Sequence, residues 1–111
     1  MDIDRDADRG EIYAVINSLY KREYGCQGLS NILSRYVNRG YIKIVDGIID
    51  MMNEKGCVYD LSQITKTAIH YNQLYMILHL IDVYGVDPNI VIDEAIQYGY
   101  IELAYYISVS I

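Results

Sequence analysis

The sequence has no tryptophan, no phenylalanine, one proline and two cysteines in 111 residues. It also has no apolar run near the length of about eighteen residues that marks a membrane-spanning helix. A basic-then-apolar leader is missing too, so no signal peptide is predicted. The net charge is −6, and the lysines and arginines are scattered, which argues against a nucleic-acid partner because phosphate binding needs clustered cations. We therefore expect an intracellular protein that binds neither membrane nor nucleic acid.

The residues that are present describe a globular chain. Hydrophobic residues make up 52% of the sequence and charged residues 22%, which is typical of a folded domain, and the length suits a single domain over residues 1–111. Eighteen isoleucines and thirteen tyrosines supply most of the apolar bulk. Because each tyrosine hydroxyl needs water or a partner, many of these rings are expected at boundaries and surfaces.

Four similar phrases recur along the chain: "DADRGEIYAVINSL", "YVNRGYIKIVDGII", "AIHYNQLYMILHLI" and "EAIQYGYIELAYYI". They align on Gly10, Gly40, Asn72 and Gly99, and glycine and asparagine tolerate the left-handed conformation that closes a helix. After each of these anchors, apolar residues recur at spacings of three and four, which places them on one stripe of a helix. The pattern predicts a repeated unit with a tight turn at its centre.

A second set of glycines lies between the anchors, at Gly25, Gly56 and Gly85, and each is followed by another apolar segment. The third of these segments opens with Pro88, whose missing N–H costs nothing at the start of a helix. The predicted unit is therefore helix, tight turn, helix, loop, repeated about three and a half times. This predicts an all-α fold of stacked helix-turn-helix repeats, in which neighbours share the core that one pair cannot form alone.

Cys26 and Cys57 each follow one of the intervening glycines, so they are predicted to take equivalent places in successive units. Equivalent positions in stacked helices lie roughly 10 Å apart. A disulfide needs Cα atoms within about 7 Å of each other. The spacing therefore favours two small buried thiols over a disulfide.

The sequence offers no recognisable catalytic or metal site. It has no phosphate loop and no nucleophile with a base at a familiar spacing. His70 and His79 are nine residues apart with nothing nearby to complete a ligand set, and the acidic "DIDRDADR" is predicted to be a polar first helix. We therefore predict no catalytic residues, no metal and no cofactor.

The segment "DEAIQYGYIELAYYI" resembles the second half of the ankyrin repeat. The matching positions are the leucine of that motif, its alanine pair, its turn glycine and the leucine-glutamate-isoleucine that follows, here Ile92, Ala95, Ile96, Gly99, Ile101, Glu102 and Leu103. Gly85, Val86 and Asp87 resemble the family's Gly-Ala-Asp, whereas its Thr-Pro-Leu-His segment is missing. The chain is most similar to the hairpin-poor ankyrin-like repeats of large DNA viruses, including the multigene families of African swine fever virus.

The resemblance implies a helical solenoid that binds proteins. In ankyrin-type repeats the two residues before the turn glycine face the concave surface, which implies a partner-binding set of Asn38, Arg39, His70, Tyr71, Gln97 and Tyr98, with Asp8 and Arg9 in the partial first unit. The alternative is that these residues are only solvated helix ends. The implied function is a viral factor in the host cytoplasm that binds a host protein, for example in innate-immune signalling.

The last segment, "IELAYYISVSI", carries apolar residues around most of a helix circumference. Exposed apolar surface of this kind favours self-association, so we predict an isologous dimer through Leu103, Tyr106 and Ile107. A second hypothesis follows, in which the protein is a structural or assembly protein without a foreign ligand. A third, an acidic helical enzyme or nucleotide binder, would require a ligand-sized pocket with convergent charges.

Overall fold

A computed structural model describes residues 9–111, and in this range the chain forms seven α-helices and no strand. The predicted all-α class is confirmed. The helices are α1 (Arg9–Lys21), α2 (Cys26–Arg39), α3 (Ile42–Glu54), α4 (Leu61–His70), α5 (Leu74–Tyr84), α6 (Pro88–Gln97) and α7 (Ile101–Ser110). The predicted polar first helix over "DIDRDADR" lies outside the described residues. The same holds for Asp8 and for the side chain of Arg9, which were predicted to contribute to partner binding.

The chain divides into two compact units, the first reaching to Asp60 and the second running Leu61–Ile111. In the first unit, α1 and α2 both pack on α3. The core stripe of α2 has a spacing of four, with Leu29, Leu33 and Val37 buried, and it meets an almost wholly apolar face of α3. That spacing brings side chains to one side of a helix, so the i, i+4 pattern of the sequence is what buries α2 against α3.

In the second unit, α4 packs on α5 and α6 packs on α7, while α4 also contacts α6 and α5 contacts α7. The side chains at the centre are apolar and fully or almost fully buried: Ile64, Ala68, Ile69, Met76, Ile77, Leu80, Val91, Ala95, Leu103, Ala104 and Ile107. Ala68 lies on α4 and Ala95 lies on α6, and these two helices contact each other. The small side chains of the two alanines allow a close approach between the helix backbones. Burial of this shared apolar surface is what stabilises four short helices together.

Three helix-to-helix turns share one backbone geometry. Gly40, Asn72 and Gly99 have φ angles of 76°, 55° and 84°, so the left-handed conformation predicted at these anchors is confirmed. The next residue in each turn donates its N–H to a carbonyl five residues back, from Tyr41 to Tyr36, from Gln73 to Ala68 and from Tyr100 to Ala95. These are Schellman-type helix ends. The fourth anchor is wrong, because Gly10 lies inside the first turn of α1.

Asn72 is the one anchor of the three that has a Cβ, and it provides a test of the shared turn. Asn72→Ala should destabilise the protein by about 1 kcal/mol, because a side chain without local hydrogen bonding pays the left-handed backbone cost in full. Asn72→Gly should be neutral or stabilising, as glycine already serves at Gly40 and Gly99. Urea unfolding of both variants is the measurement, and equal destabilisation by alanine and glycine would contradict the shared turn.

Of the three glycines that lie between the anchors, only two have the same backbone conformation. Gly56 and Gly85 follow α3 and α5 with φ angles of 72° and 73°, whereas Gly25 is extended at φ −75°. After α1 the left-handed residue is Glu23, at φ 51°. The prediction for Pro88 is confirmed, since it opens α6 behind Asp87, whose side chain accepts a hydrogen bond from the Asn89 N–H at 2.9 Å.

Cys26 and Cys57 form a disulfide, so the prediction of separate buried thiols is wrong. Their Cα atoms are 5.5 Å apart. Cys57 follows the left-handed Gly56, and the residue in the corresponding place after α1 is Tyr24, which follows left-handed Glu23. Cys26 is instead the first residue of α2. Because α2 and α3 are neighbouring helices of nearly equal length joined by a tight turn, the start of α2 lies beside the end of α3 and the two cysteines meet.

Polar contacts also join α1 and the turn after it to the end of α3. The Tyr20 hydroxyl donates to Glu54 Oε2 at 2.7 Å, and the Lys55 Nζ donates to the Tyr24 carbonyl at 3.1 Å. The hydrogen bond to the Glu54 carboxylate raises the pKa of the Tyr20 hydroxyl above its ordinary value, because it stabilises the protonated phenol. These contacts lie at the surface, so they orient the helix ends more than they stabilise the unit.

Across residues 9–111, none of the helices combines the length and the apolar character needed to cross a bilayer. All thirteen tyrosines are at least partly exposed. The expectation that tyrosines would lie at boundaries and surfaces is confirmed.

Candidate protein-interaction surface

The predicted partner-binding residues lie where α2, α4 and α6 end. Arg39, His70 and Gln97 are the last residues of their helices, and each precedes a left-handed turn. Arg39, His70 and Gln97 are exposed, while Asn38 is half-buried. Asn38 and Arg39 belong to the first unit, and the other four residues belong to the second.

In the second unit the structure brings three of the predicted residues together, and we call His70, Tyr71 and Tyr98 the aromatic cluster. The His70 ring centroid is 5.3 Å from that of Tyr71 and 6.2 Å from that of Tyr98, with both pairs edge-to-face. Edge-to-face packing is a favourable arrangement of aromatic rings. The contact between α4 and α6 is what places Tyr98 beside His70, although 28 residues separate them in sequence.

The aromatic cluster is open to solvent. Tyr71 is 50% exposed and Tyr98 is 53% exposed. The cluster therefore presents two ring faces, two hydroxyl groups and an imidazole at the surface. Tyrosine is enriched in protein interfaces because it combines a large apolar area with a hydrogen-bonding end. Gln97 is exposed one residue before Tyr98 and adds an amide to the same helix end.

Tyr100 was not predicted from the sequence, although it contacts the backbone of the aromatic cluster. Its hydroxyl donates to the His70 carbonyl at 2.9 Å and so ties the turn after α6 to the end of α4. Tyr100 directly follows the anchor Gly99, and Tyr41 follows Gly40 in the same way. The recurrence of an aromatic residue after an anchor glycine was the signal that could have identified it.

The three predicted dimer residues are divided between core and surface. Leu103 is 4% exposed and Ile107 is 0% exposed, so these two side chains belong to the core of their own unit and are not available to a partner. This corrects the prediction, because the i, i+4 stripe of α7 faces α5 and α6. Tyr106 is exposed, as are Ile101, Tyr105, Val109 and Ile111.

In residues 9–111 no group of three histidine, cysteine or acidic side chains is placed to hold a metal ion. The aromatic cluster joins ring surface with hydroxyl and imidazole groups, which suits binding to another protein. Comparison of the chain with protein-family models, with curated proteins and with solved structures finds no match.

Proposed function

We propose that the protein is a protein-interaction module and that the aromatic cluster is part of its binding surface. The observation that carries the proposal is the meeting of His70, Tyr71 and Tyr98 at one exposed helix end. Half-exposed tyrosines held in place by their neighbours lose little conformational entropy on binding, so they are effective contact residues. The cluster also lies at the positions that the ankyrin resemblance implies.

We further propose an ankyrin-like arrangement, with the helix pairs stacked as a solenoid of about three and a half units. The three left-handed turns of the same type at Gly40, Asn72 and Gly99 support this arrangement. The short loops between pairs are in keeping with the hairpin-poor repeats of large DNA viruses. By the same resemblance, the partner is a host protein, for example one in innate-immune signalling, and the protein acts in the host cytoplasm.

The test is capture of host proteins by the Tyr71→Ala/Tyr98→Ala double variant. Loss of both rings should weaken recovery of the partner at least about tenfold, since interface tyrosines are among the residues that carry most binding energy. Affinity capture from host-cell lysate with crosslinking mass spectrometry is the measurement, and the crosslinks should fall near the ends of α4 and α6. Circular dichroism and thermal unfolding should be nearly unchanged, because both rings are at the surface.

The matched control is Tyr105→Ala/Tyr106→Ala. These two tyrosines also form an edge-to-face pair, with ring centroids 5.8 Å apart, and they are exposed on α7 in the same unit. Capture should survive this change. Equal recovery by the wild type and the Tyr71/Tyr98 variant would refute the aromatic cluster as the binding surface.

The second candidate function is self-assembly through α7. The exposed apolar residues of this helix and of the residue after it favour it: Ile101, Tyr105, Tyr106, Val109 and Ile111. Ile101, Tyr105 and Val109 are spaced four residues apart, so they lie along one side of α7, and exposed apolar residues grouped in this way are typical of association sites. Light-scattering mass that rises with concentration and is lost in the Tyr105/Tyr106 variant, together with an empty capture experiment, would favour this function over the first.

A further inference from the structure

The first unit contains a groove of about 390 Å³ between α1 and α2. Three arginines line it, Arg22 from the turn after α1 and Arg35 and Arg39 from α2. The lining drawn from the described residues includes no aspartate and no glutamate. The chain carries nine lysines and arginines at a net charge of −6, and a third of these cations line one groove.

The arginines line the groove from two neighbouring segments of the chain. Arg35 and Arg39 are four residues apart, so they lie on the same face of α2, one turn from each other. Like charges at this spacing repel each other, and an anion between them would relieve the repulsion. The Arg22 Nη1 donates to the Tyr24 hydroxyl at 3.4 Å, which directs this side chain toward the groove that Tyr24 also lines. Guanidinium groups suit carboxylates and phosphates because they donate two parallel hydrogen bonds.

Apart from the arginines and Ser18, the described lining of the groove is apolar and aromatic. Leu19 is buried and Ile32 is half-buried, and together with the Tyr36 ring they give the groove an apolar part next to its charged part. Free phosphate would use only the charged part. A nucleic acid would need cations along its length, whereas three arginines in one groove of an acidic protein match a short ligand. A peptide with an anionic side chain beside an apolar one would use both parts.

We propose that this groove binds a peptide segment of the partner protein in which an anionic side chain, either a carboxylate or a phosphorylated tyrosine, is next to an apolar residue. The inference rests on the proposed function, because it describes the chemistry of the partner. It adds a second contact in the first unit, separate from the aromatic cluster. The anionic side chain would lie between Arg35, Arg39 and Arg22, and the apolar residue would contact Ile32 and Tyr36.

The experiment is an array of immobilised octapeptides, each with a central aspartate, glutamate, phosphotyrosine, glutamine or lysine beside a leucine. The wild-type chain should bind the anionic peptides at least about tenfold more tightly than the glutamine peptides, and Arg35→Glu should abolish this preference. Arg39→Lys should weaken it, because an ammonium group cannot form the paired hydrogen bonds of a guanidinium. The aspartate, glutamate and phosphotyrosine arms show which anionic group the groove prefers.

The matched control is Lys66→Glu, which makes the same charge change at an exposed position of α4 in the second unit. This variant should keep the anionic preference. The array is repeated with the four aspartates between positions 2 and 8 changed to asparagine, so that these acidic groups of the chain cannot compete with the peptides. An anionic preference in either protein, lost on Arg35→Glu, supports the proposal.

Several results would overturn it. These are no preference for anionic peptides in either protein, a preference that Arg35→Glu leaves intact, an equal loss in Lys66→Glu, and tighter binding of a single-stranded oligonucleotide than of any peptide. Failure of this proposal is distinguishable from failure of the proposed function. If partner capture depends on Tyr71 and Tyr98 but the peptide array shows no anionic preference, only the proposal for the groove is rejected. If the array shows anionic binding but no partner is captured, the proposal for the aromatic cluster is rejected.

Discussion

Reducing the Cys26–Cys57 disulfide should lower the free energy of unfolding by about 3–4 kcal/mol, the loop-closure value for a cross-link between residues 31 apart. The cross-link acts chiefly on the unfolded chain, since it removes conformations in which the start of α2 and the end of α3 are far apart. In the folded state, the packing of α2 on α3 already holds these two helix ends close. Urea unfolding with and without a phosphine reductant measures the difference.

The control for reduction is the Cys26→Ala/Cys57→Ala variant. Its unfolding midpoint should be the same with and without reductant and should match that of the reduced wild type to within the small cost of the lost thiols. Quantification of free thiols before each experiment confirms the redox state. An unfolding midpoint of the wild type that does not move on complete reduction would contradict the predicted stabilisation.

The same disulfide bears on the proposed location. Disulfides persist in oxidising compartments and are rare in the cytosol, where thiols are kept reduced. A protein that acts in the host cytoplasm would therefore work with reduced Cys26 and Cys57 and with the lower stability described above. Rapid alkylation of expressing cells, followed by mass measurement of the protein, shows which form is present and so discriminates between a reducing and an oxidising location.

Ile107→Ala should lower the free energy of unfolding by about 3 kcal/mol, because it removes three carbons from a fully buried site and leaves a cavity. Ile107 lies on the stripe of α7 that also buries Leu103 and Ala104. Urea unfolding is again the measurement. The matched control is Ile101→Ala on the same helix, where the isoleucine is 60% exposed and the change should fall within about 0.5 kcal/mol.

This prediction also separates a core role from an interface role for Ile107. If Ile107 is a core residue, its replacement by alanine lowers the free energy of unfolding by the same amount at every protein concentration. An interface residue would make the unfolding midpoint depend on concentration, since association stabilises only the folded state. A concentration-dependent loss, together with an effect of Ile101→Ala as large as that of Ile107→Ala, would show that α7 is used in association and that the core assignment is wrong.

The sequence pattern predicted the helical class and the position of three turns, because these features depend on local physics. Gly40, Asn72 and Gly99 could be identified since few residues accept a left-handed backbone, and the helices around them followed from apolar spacings of three and four. Gly10 was misassigned by the same rule, because glycine also occurs inside helices. A glycine can be identified as a turn anchor only when a helix is present on each side of it, and the phrase around Gly10 does not by itself show whether a helix precedes the glycine.

The candidate binding surface was predicted in part. Position in the repeat selected His70, Tyr71 and Tyr98, yet the contact among their rings depends on the packing of α4 against α6. Arg35 was missed although it precedes Arg39 by one helical turn, because Arg22 lies in the turn after α1 and the meeting of the three in one groove is a tertiary property. Leu103 and Ile107 were assigned to a surface because a helix that is apolar on most sides does not reveal which side is buried.

The sequence by itself determined that the chain is helical, that three of its turns are left-handed at glycine or asparagine, and that its tyrosines lie at the surface. Each of these depends on one residue or on neighbours within a helical turn. Only the tertiary structure decided that Cys26 and Cys57 are bonded, which side of α7 is core, and which side chains meet in the aromatic cluster and the arginine groove. The physical reason is distance along the chain: these contacts join helices whose mutual packing no local spacing encodes.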